Sequence, residues 1–228
     1  MPLPIYLAMT AAEYEKNAAP MGQMAWMACH FSPYGTGLSN FPAKLPEGAM
    51  LILNDRTPVC GHDPSVIASQ IKELTEQFTC SRVLLDLQRP GEPETAAIVR
   101  EILHTVSCPV GVSESYGKEL DCPIFLSPLP LLQPLDVHLS PWSQREVWLE
   151  LAGRNVCCAV RETGCHCTEE TPFPTYLHTD ANLCCRYSIA ETDDTIFFHI
   201  WQDPQLVREQ VHLRENITCL VGLYQELG

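Results

Sequence analysis

Long apolar runs are missing from this chain. None approaches the ~18 to 20 residues that a membrane-spanning helix needs, so no helical membrane protein is expected. Positive charge is scarce, with 14 Lys and Arg against 28 Asp and Glu and a formal net charge of −14. A surface of that sign repels a phosphate backbone, and no basic cluster interleaved with aromatics offsets it, so nucleic acid is not an expected partner. Gly-rich phosphate loops of the G-x-G-x-x-G and G-x-x-x-x-G-K kinds are also missing, and no cofactor is expected. The opening Met1-Pro-Leu-Pro-Ile-Tyr-Leu-Ala-Met9 has no basic region, and Glu13 and Glu15 stand where a cleavage site would fall, so the expected compartment is the cytoplasm. Charged residues make up only 18% of the chain and hydrophobic ones 46%. That balance builds a core and excludes a disordered chain.

Cysteine, by contrast, is abundant at 12 residues. Cys29, Cys60, Cys80, Cys108, Cys122 and Cys219 stand singly within or beside apolar runs, where a free thiol behaves as a small hydrophobe. Cys157, Cys158, Cys165, Cys167, Cys184 and Cys185 crowd together, with His166 among them. Their C-C, C-x-C and C-C spacings are not zinc knuckles, and adjacent cysteines on a strand point to opposite faces. The expectation is packing or solvent-facing thiols, with no metal ligation and, in a reducing compartment, no disulfides.

Short β-forming runs alternate with helical patterns. The runs are Pro4–Ala8, Met24–Phe31, Met50–Asp55, Val83–Gln88, Pro109–Glu114, Pro123–Leu126, Glu146–Glu150 and Thr218–Gln225. Helix starts are marked by an acidic residue before proline at Asp63-Pro64, Glu92-Pro93 and Asp203-Pro204. Strand followed by helix, repeated, implies parallel pairing. Polar groups follow many strands, as in His30 with Tyr34, Asn54-Asp55-Arg56, Gln88-Arg89, Ser113-Glu114, Glu150 and Tyr224-Gln225. Function carried at many strand ends, and not at one switch point, describes a barrel mouth. The expected fold is α/β, one (β/α)8 barrel over residues 1–228, regular or reduced. Residues 152–201 form an antiparallel excursion within it, built on Val156–Val160, Leu183–Ile189 and Ile196–Ile200 with a turn at Thr192-Asp-Asp194. Thr168-Glu-Glu170 and Pro172-Phe-Pro174 are expected in an exposed loop.

Alternation sets Val83, Leu85 and Leu87 toward the helices and turns Leu84, Asp86 and Gln88 inward. The same parity turns Trp148 and Glu150 into the barrel. An inward aromatic beside an inward carboxylate suits a sugar ring.

With these residues in view, the chain resembles the family 18 glycoside hydrolases, including chitinase-like and spore-peptidoglycan members. Ser81-Arg-Val-Leu-Leu-Asp-Leu-Gln88 is similar to the family's D-x-x-D-x-D-x-E strand. The stretch through His178-Thr-Asp180, Arg186-Tyr187, Phe197–Trp201, Asp203 and Val221–Gly228 is similar to its closing segment. The resemblance implies a carbohydrate ligand, an amino-sugar polymer held in the mouth. It places Ser81 and Leu84 at the first two acidic positions, Asp86 at the third and Gln88 at that of the proton-donating Glu. An amide cannot titrate near neutral pH, so Gln88 cannot act as general acid and hydrolysis is expected to be lost or impaired. The candidate residues are therefore Asp86, Gln88, Glu114 and Glu150 for chemistry, and His30, Tyr34, Asp55, Trp148, Tyr224 and Gln225 for substrate contact. Two other readings stay open: a hydrolase with relocated carboxylates, Asp86 with Glu114 or Glu150, and a non-enzymatic structural or interaction protein.

Overall fold

The computed structural model describes residues 3–16, 23–35, 37–57, 59, 61–89, 92–169, 175–192 and 194–227. The chain passes through β1 (Ile5–Met9), α1 (Ala11–Lys16), β2 (Gln23–Phe31), β3 (Leu38–Ser39), β4 (Met50–Asn54), α2 (Pro64–Gln77), β5 (Arg82–Asp86), α3 (Pro93–Thr105), β6 (Val110–Ser113), α4 (Glu114–Gly117), β7 (Ile124–Leu126), α5 (Leu135–Leu139) and β8 (Val147–Leu151). There follow β9 (Arg154–Arg161), β10 (Gly164–Glu169), β11 (His178–Asp180), β12 (Cys185–Thr192), β13 (Thr195–Gln202), α6 (Pro204–Val211), β14 (Ile217–Leu223) and α7 (Tyr224–Leu227). Two compact units result. One comprises Met1–Ser127, Gln144–Glu150 and Asn216–Gly228, the other Pro128–Ser143 and Leu151–Glu215.

In the first unit an eight-stranded parallel barrel closes. Its strands neighbour one another in the order β1, β14, β8, β7, β6, β5, β4, β2, and β1 pairs with β2 to complete the ring. All eight β-runs read from the sequence are barrel strands. The helical layer is thin, because among the described residues of this unit only α2 and α3, of 14 and 13 residues, exceed two turns. Asp63 caps α2 by accepting from the Ser65 amide at 2.9 Å with Pro64 in the first turn, as the sequence signal required. At α3 the Glu92 carboxylate instead takes the Thr95 hydroxyl at 3.1 Å.

Strand parity sorts the core into two shells. Leu51, Leu53, Val83, Leu85, Val110 and Val112 point outward and pack with Ile67, Ile71, Ile98, Val99 and Ile102 of the two helices. Tyr6, Ala8, Ala25, Met50, Ile52, Leu84, Phe125, Trp148, Cys219 and Val221 point inward and fill the barrel. At its N-terminal end Arg82 donates to the Tyr6 hydroxyl at 2.7 Å and lies 5.5 and 5.8 Å from the ring centres of Tyr6 and Trp148. Ser81, at the first acidic position of the resemblance, is 2.7 Å from the same hydroxyl and donates to the Gly48 carbonyl at 2.6 Å.

Strands β2, β5 and β14 differ from the sequence reading, β5 by ending at Asp86 and not at Gln88. A bulge in β2 between Trp26 and Cys29 sets both residues toward the outer shell and puts His30 in register with Asn54. The last strand ends at Leu223, and Tyr224 and Gln225 open a single helical turn.

The second unit is a five-stranded antiparallel sheet in the order β10, β9, β13, β12, β11, with β12 and β13 meeting at Thr192 and Thr195. Asp203 caps α6 through the Gln205 amide at 2.9 Å and pairs with Arg186 at 2.7 Å. Thr168 and Glu169 belong to β10 and not to a loop, while residues 170–174 lie outside the described residues. Cys158 and Cys167 form a disulfide, which corrects the expectation of unpaired thiols. The two residues are directly opposed on β9 and β10, a pairing that strand parity permits and adjacency in sequence does not reveal. The single cysteines behave as expected: Cys29, Cys80, Cys122 and Cys219 are buried, and burial pushes the Cys29 and Cys219 thiols up to about 12. Cys60 lies outside the described residues.

Trp148 is fully buried and occupies the space beside Gly111 on β6, where an added Cβ would stand 2.2 Å from its ring. Gly111→Ala is expected to destabilise the barrel by about 1–3 kcal/mol through overpacking. Adding Trp148→Phe should recover part of that loss, because the smaller ring vacates the contested space. Urea unfolding of the two variants checks both halves.

Candidate functional site

At the C-terminal ends of the barrel strands the inward side chains change from apolar to polar. A cavity of about 60 Å3 is lined there by Met27, Ile52, Asn54, Leu84, Asp86, Phe125, Glu150 and Leu223, among others. Asn54 and Asp86 are register partners on β4 and β5. Glu150 stands on β8, three strands away around the ring.

The walls set the electrostatics. Burial raises the Glu150 carboxyl to about 7, helped by the negative charges of Asp86 and then Glu226. Burial also raises the Asp86 carboxyl; the Gln88 hydrogen bond opposes that shift and Asp55 adds to it. The charge of Asp86 thus acts on Glu150 in addition to burial. A carboxylic acid that holds its proton into the neutral range, in one cavity with a second carboxyl that burial also raises and an amide donor partly offsets, is a pair whose members differ in how tightly they hold a proton.

The expected residues divide into those the barrel brings together and those it does not. Asp86 and Glu150 share the cavity. Gln88 lies beyond the end of β5 and is exposed, yet its amide donates to Asp86 Oδ1. Parity placed Gln88 inward; because the strand stops at Asp86, only its amide reaches the site. Glu114 is exposed in the first turn of α4 and does not line the cavity.

Among the expected substrate contacts, Trp148 does point inward, but it is wedged in the middle of the barrel with its Nε1 donating to Glu146 at 3.2 Å. It is core filling and offers no platform at the mouth. Tyr224 packs against the outer shell instead of the cavity, and the exposed Gln225 hydrogen-bonds Glu13. Asp55 is buried and accepts the Arg89 amide at 2.7 Å, which ties the loop after β5 to the end of β4. His30 holds its own strand end, with Nδ1 2.8 Å from the Ala28 carbonyl, and Tyr34 is 86% exposed in the following turn.

Asn54 stands among the polar strand ends read from the sequence but not among the expected contacts. It lines the cavity and donates to the Met27 carbonyl at 3.0 Å. Its position last in an otherwise apolar strand was the available signal. Ser113 is similar in kind: its hydroxyl accepts the Leu87 amide at 2.8 Å and donates to the Leu85 carbonyl at 3.0 Å, fixing the chain just past Asp86.

Among the described residues no helix is long and apolar enough to cross a membrane. No protein-family model, no curated protein and no solved structure matches this chain.

The raised Glu150 pKa fixes a pH dependence of stability. Between the ordinary 4.5 and about 7 the folded chain keeps a proton that the unfolded chain has released. Stability from this group is fully present below pH 4.5 and is lost as pH rises through 7. Glu150→Gln, which carries no charge at either limit, should be more stable than wild type at pH 8 by on the order of 1–3 kcal/mol, with the difference shrinking toward pH 4.5. Denaturant unfolding at pH 5 and pH 8 checks it, and a difference independent of pH contradicts it.

Proposed function

We propose that the barrel is a glycoside hydrolase-like TIM barrel whose acid–base site is Asp86 with Glu150, with Glu150 as proton donor in place of the residue at position 88. The observation that carries this reading is the pair itself: two carboxyls converging on one small cavity at the C-terminal mouth, one of them raised to about 7. In this mechanism protonated Glu150 gives its proton to the leaving-group oxygen as the glycosidic C–O bond breaks, ionised Asp86 stabilises the positive charge that develops on the sugar, and a water then adds to that carbon and returns one proton to Glu150. A cavity of 60 Å3 holds about two waters. It admits the reacting oxygen, while the sugar ring binds at the rim, beside Gln88. The resemblance of the 81–88 strand and the closing segment to family 18 supplies the substrate class, an uncharged N-acetylated amino sugar, which is also compatible with a net charge of −14.

A second reading, binding without turnover, is favoured by one observation. The Gln88 amide occupies the Asp86 carboxylate that would otherwise orient the substrate's acetamido group.

N-acetylglucosamine oligomers and aryl N-acetylglucosaminides, assayed from pH 4 to 9, separate the two. The first reading expects hydrolysis that declines as pH rises through about 7 and falls by roughly 10²–10⁴ in Glu150→Gln. Saturable binding by calorimetry with no hydrolysis selects the second. Hydrolysis that survives in both Glu150→Gln and Asp86→Ala places the chemistry elsewhere.

A further inference from the structure

Three cysteines of the second unit share one face of its sheet. Cys158 on β9 lies opposite Cys167 on β10, and Cys165, two residues earlier and therefore on the same side, lies opposite Val160. The Sγ of Cys165 is 3.8 Å from that of Cys167, and the three sulfurs all lie within 4.8 Å of one another. They border an open apolar groove of about 510 Å3 with Val160, Phe198 and Ile200. Cys165 and Cys167 are solvent-exposed, so reagents reach the cluster.

We propose that Cys158, Cys165 and Cys167 form a redox-gated site for one thiophilic d10 cation, Zn(II) or Cu(I). Three thiolates bound to one ion at about 2.3 Å stand roughly 3.8–4.0 Å apart. Cys165 and Cys167 already have that spacing. Cys158 reaches it when its bond to Cys167 opens and the side chains rotate, with the two strands held by their ladder. A set of three sulfurs without a carboxylate selects soft ions over Mg(II) or Ca(II). The adjacent Cys157 cannot join, because it faces the other side of β9.

The gate is the disulfide. A dithiol reductant supplies two electrons and two protons, its own sulfurs joining while the Cys158–Cys167 bond breaks to two thiols. The cation then displaces the protons of three thiols. Oxidation by a disulfide of low molecular weight reverses the sequence: Cys158 and Cys167 rejoin, the oxidant's two sulfurs and Cys165 take up the three protons lost on binding and become thiols, and the ion is released.

The test uses the full chain, reduced with excess dithiol and desalted without oxygen, beside the oxidised protein. Each is titrated with Zn(II) and with Cu(I) against chromophoric chelators. Reduced wild type is expected to hold one equivalent of at least one ion, the arm that binds identifying which, and oxidised protein none at this site. Cys165→Ser retains both disulfide cysteines, so its fold is preserved; circular dichroism verifies that, and Cys165→Ala is measured alongside. Both variants should lose at least tenfold in affinity, whereas Cys157→Ser should match wild type. Peptide mapping of the oxidised protein should return the Cys158–Cys167 link. Failure of reduced wild type to bind either ion, equal binding by oxidised protein, or undiminished affinity in the Cys165 variants overturns the proposal.

Discussion

The barrel depends on one steric match, the Trp148 ring filling the interior where Gly111 leaves room for it. A closed ring of eight strands must fill its centre with inward side chains. One large ring among Tyr6, Met50 and Leu84 does most of that filling here, with alanines at positions 8 and 25. Two consequences follow. The ring is buried so deeply that its only polar atom is turned to Glu146, the residue just before its own strand. And the space left above it, at the ends of the strands, is small and walled by Leu84, Phe125 and Leu223.

Those apolar walls give the mouth its chemistry. Asp86 and Glu150 would be ordinary carboxylates on an open surface. Between hydrocarbon walls both hold their protons more tightly than usual, Glu150 helped by the charge of Asp86 and Asp86 by that of Asp55. The surrounding polar groups are mostly engaged in holding strand ends: Asn54 on the Met27 carbonyl, Asp55 on the Arg89 amide, Ser113 on the backbone around Asp86. The mouth thus combines two carboxyls of raised pKa with a frame of hydrogen bonds, and its polarity alone does not mark every member as functional.

The second unit obeys a different arithmetic. Its sheet is antiparallel, so residues directly opposed across two strands come close, and one face carries Cys158, Cys165, Cys167 and Cys185 together with Phe198 and Ile200. Sulfur chemistry and apolar packing are concentrated on that face because strand alternation sends every second residue there.

Much of this was legible from the residues. Eight β-runs, the proline-marked starts of α2, α3 and α6, the inward turn of Asp86, Trp148 and Glu150, and the antiparallel character of the excursion all follow from periodicity and local backbone preference, which act within a few residues. What lay out of reach depends on contacts between distant segments. The bulge in β2 reverses the parity that would pair His30 with Trp26, and the early end of β5 leaves Gln88 exposed. The depth of Trp148 is set by a glycine 37 positions earlier, a strand neighbour's neighbour that only closure brings beneath it. The cysteine spacing, read pair by pair, excluded convergence. The C-x-C step on β10 puts two thiols on one face and register brings Cys158 across from one of them, and register is fixed by the partner strand, not by the strand itself. The sequence by itself determined the eight barrel strands, three strands of the antiparallel sheet, the three proline-marked helices and the buried faces of β5 and β8; only the tertiary structure decided which side chains meet, because that depends on closure and register between strands far apart in the chain.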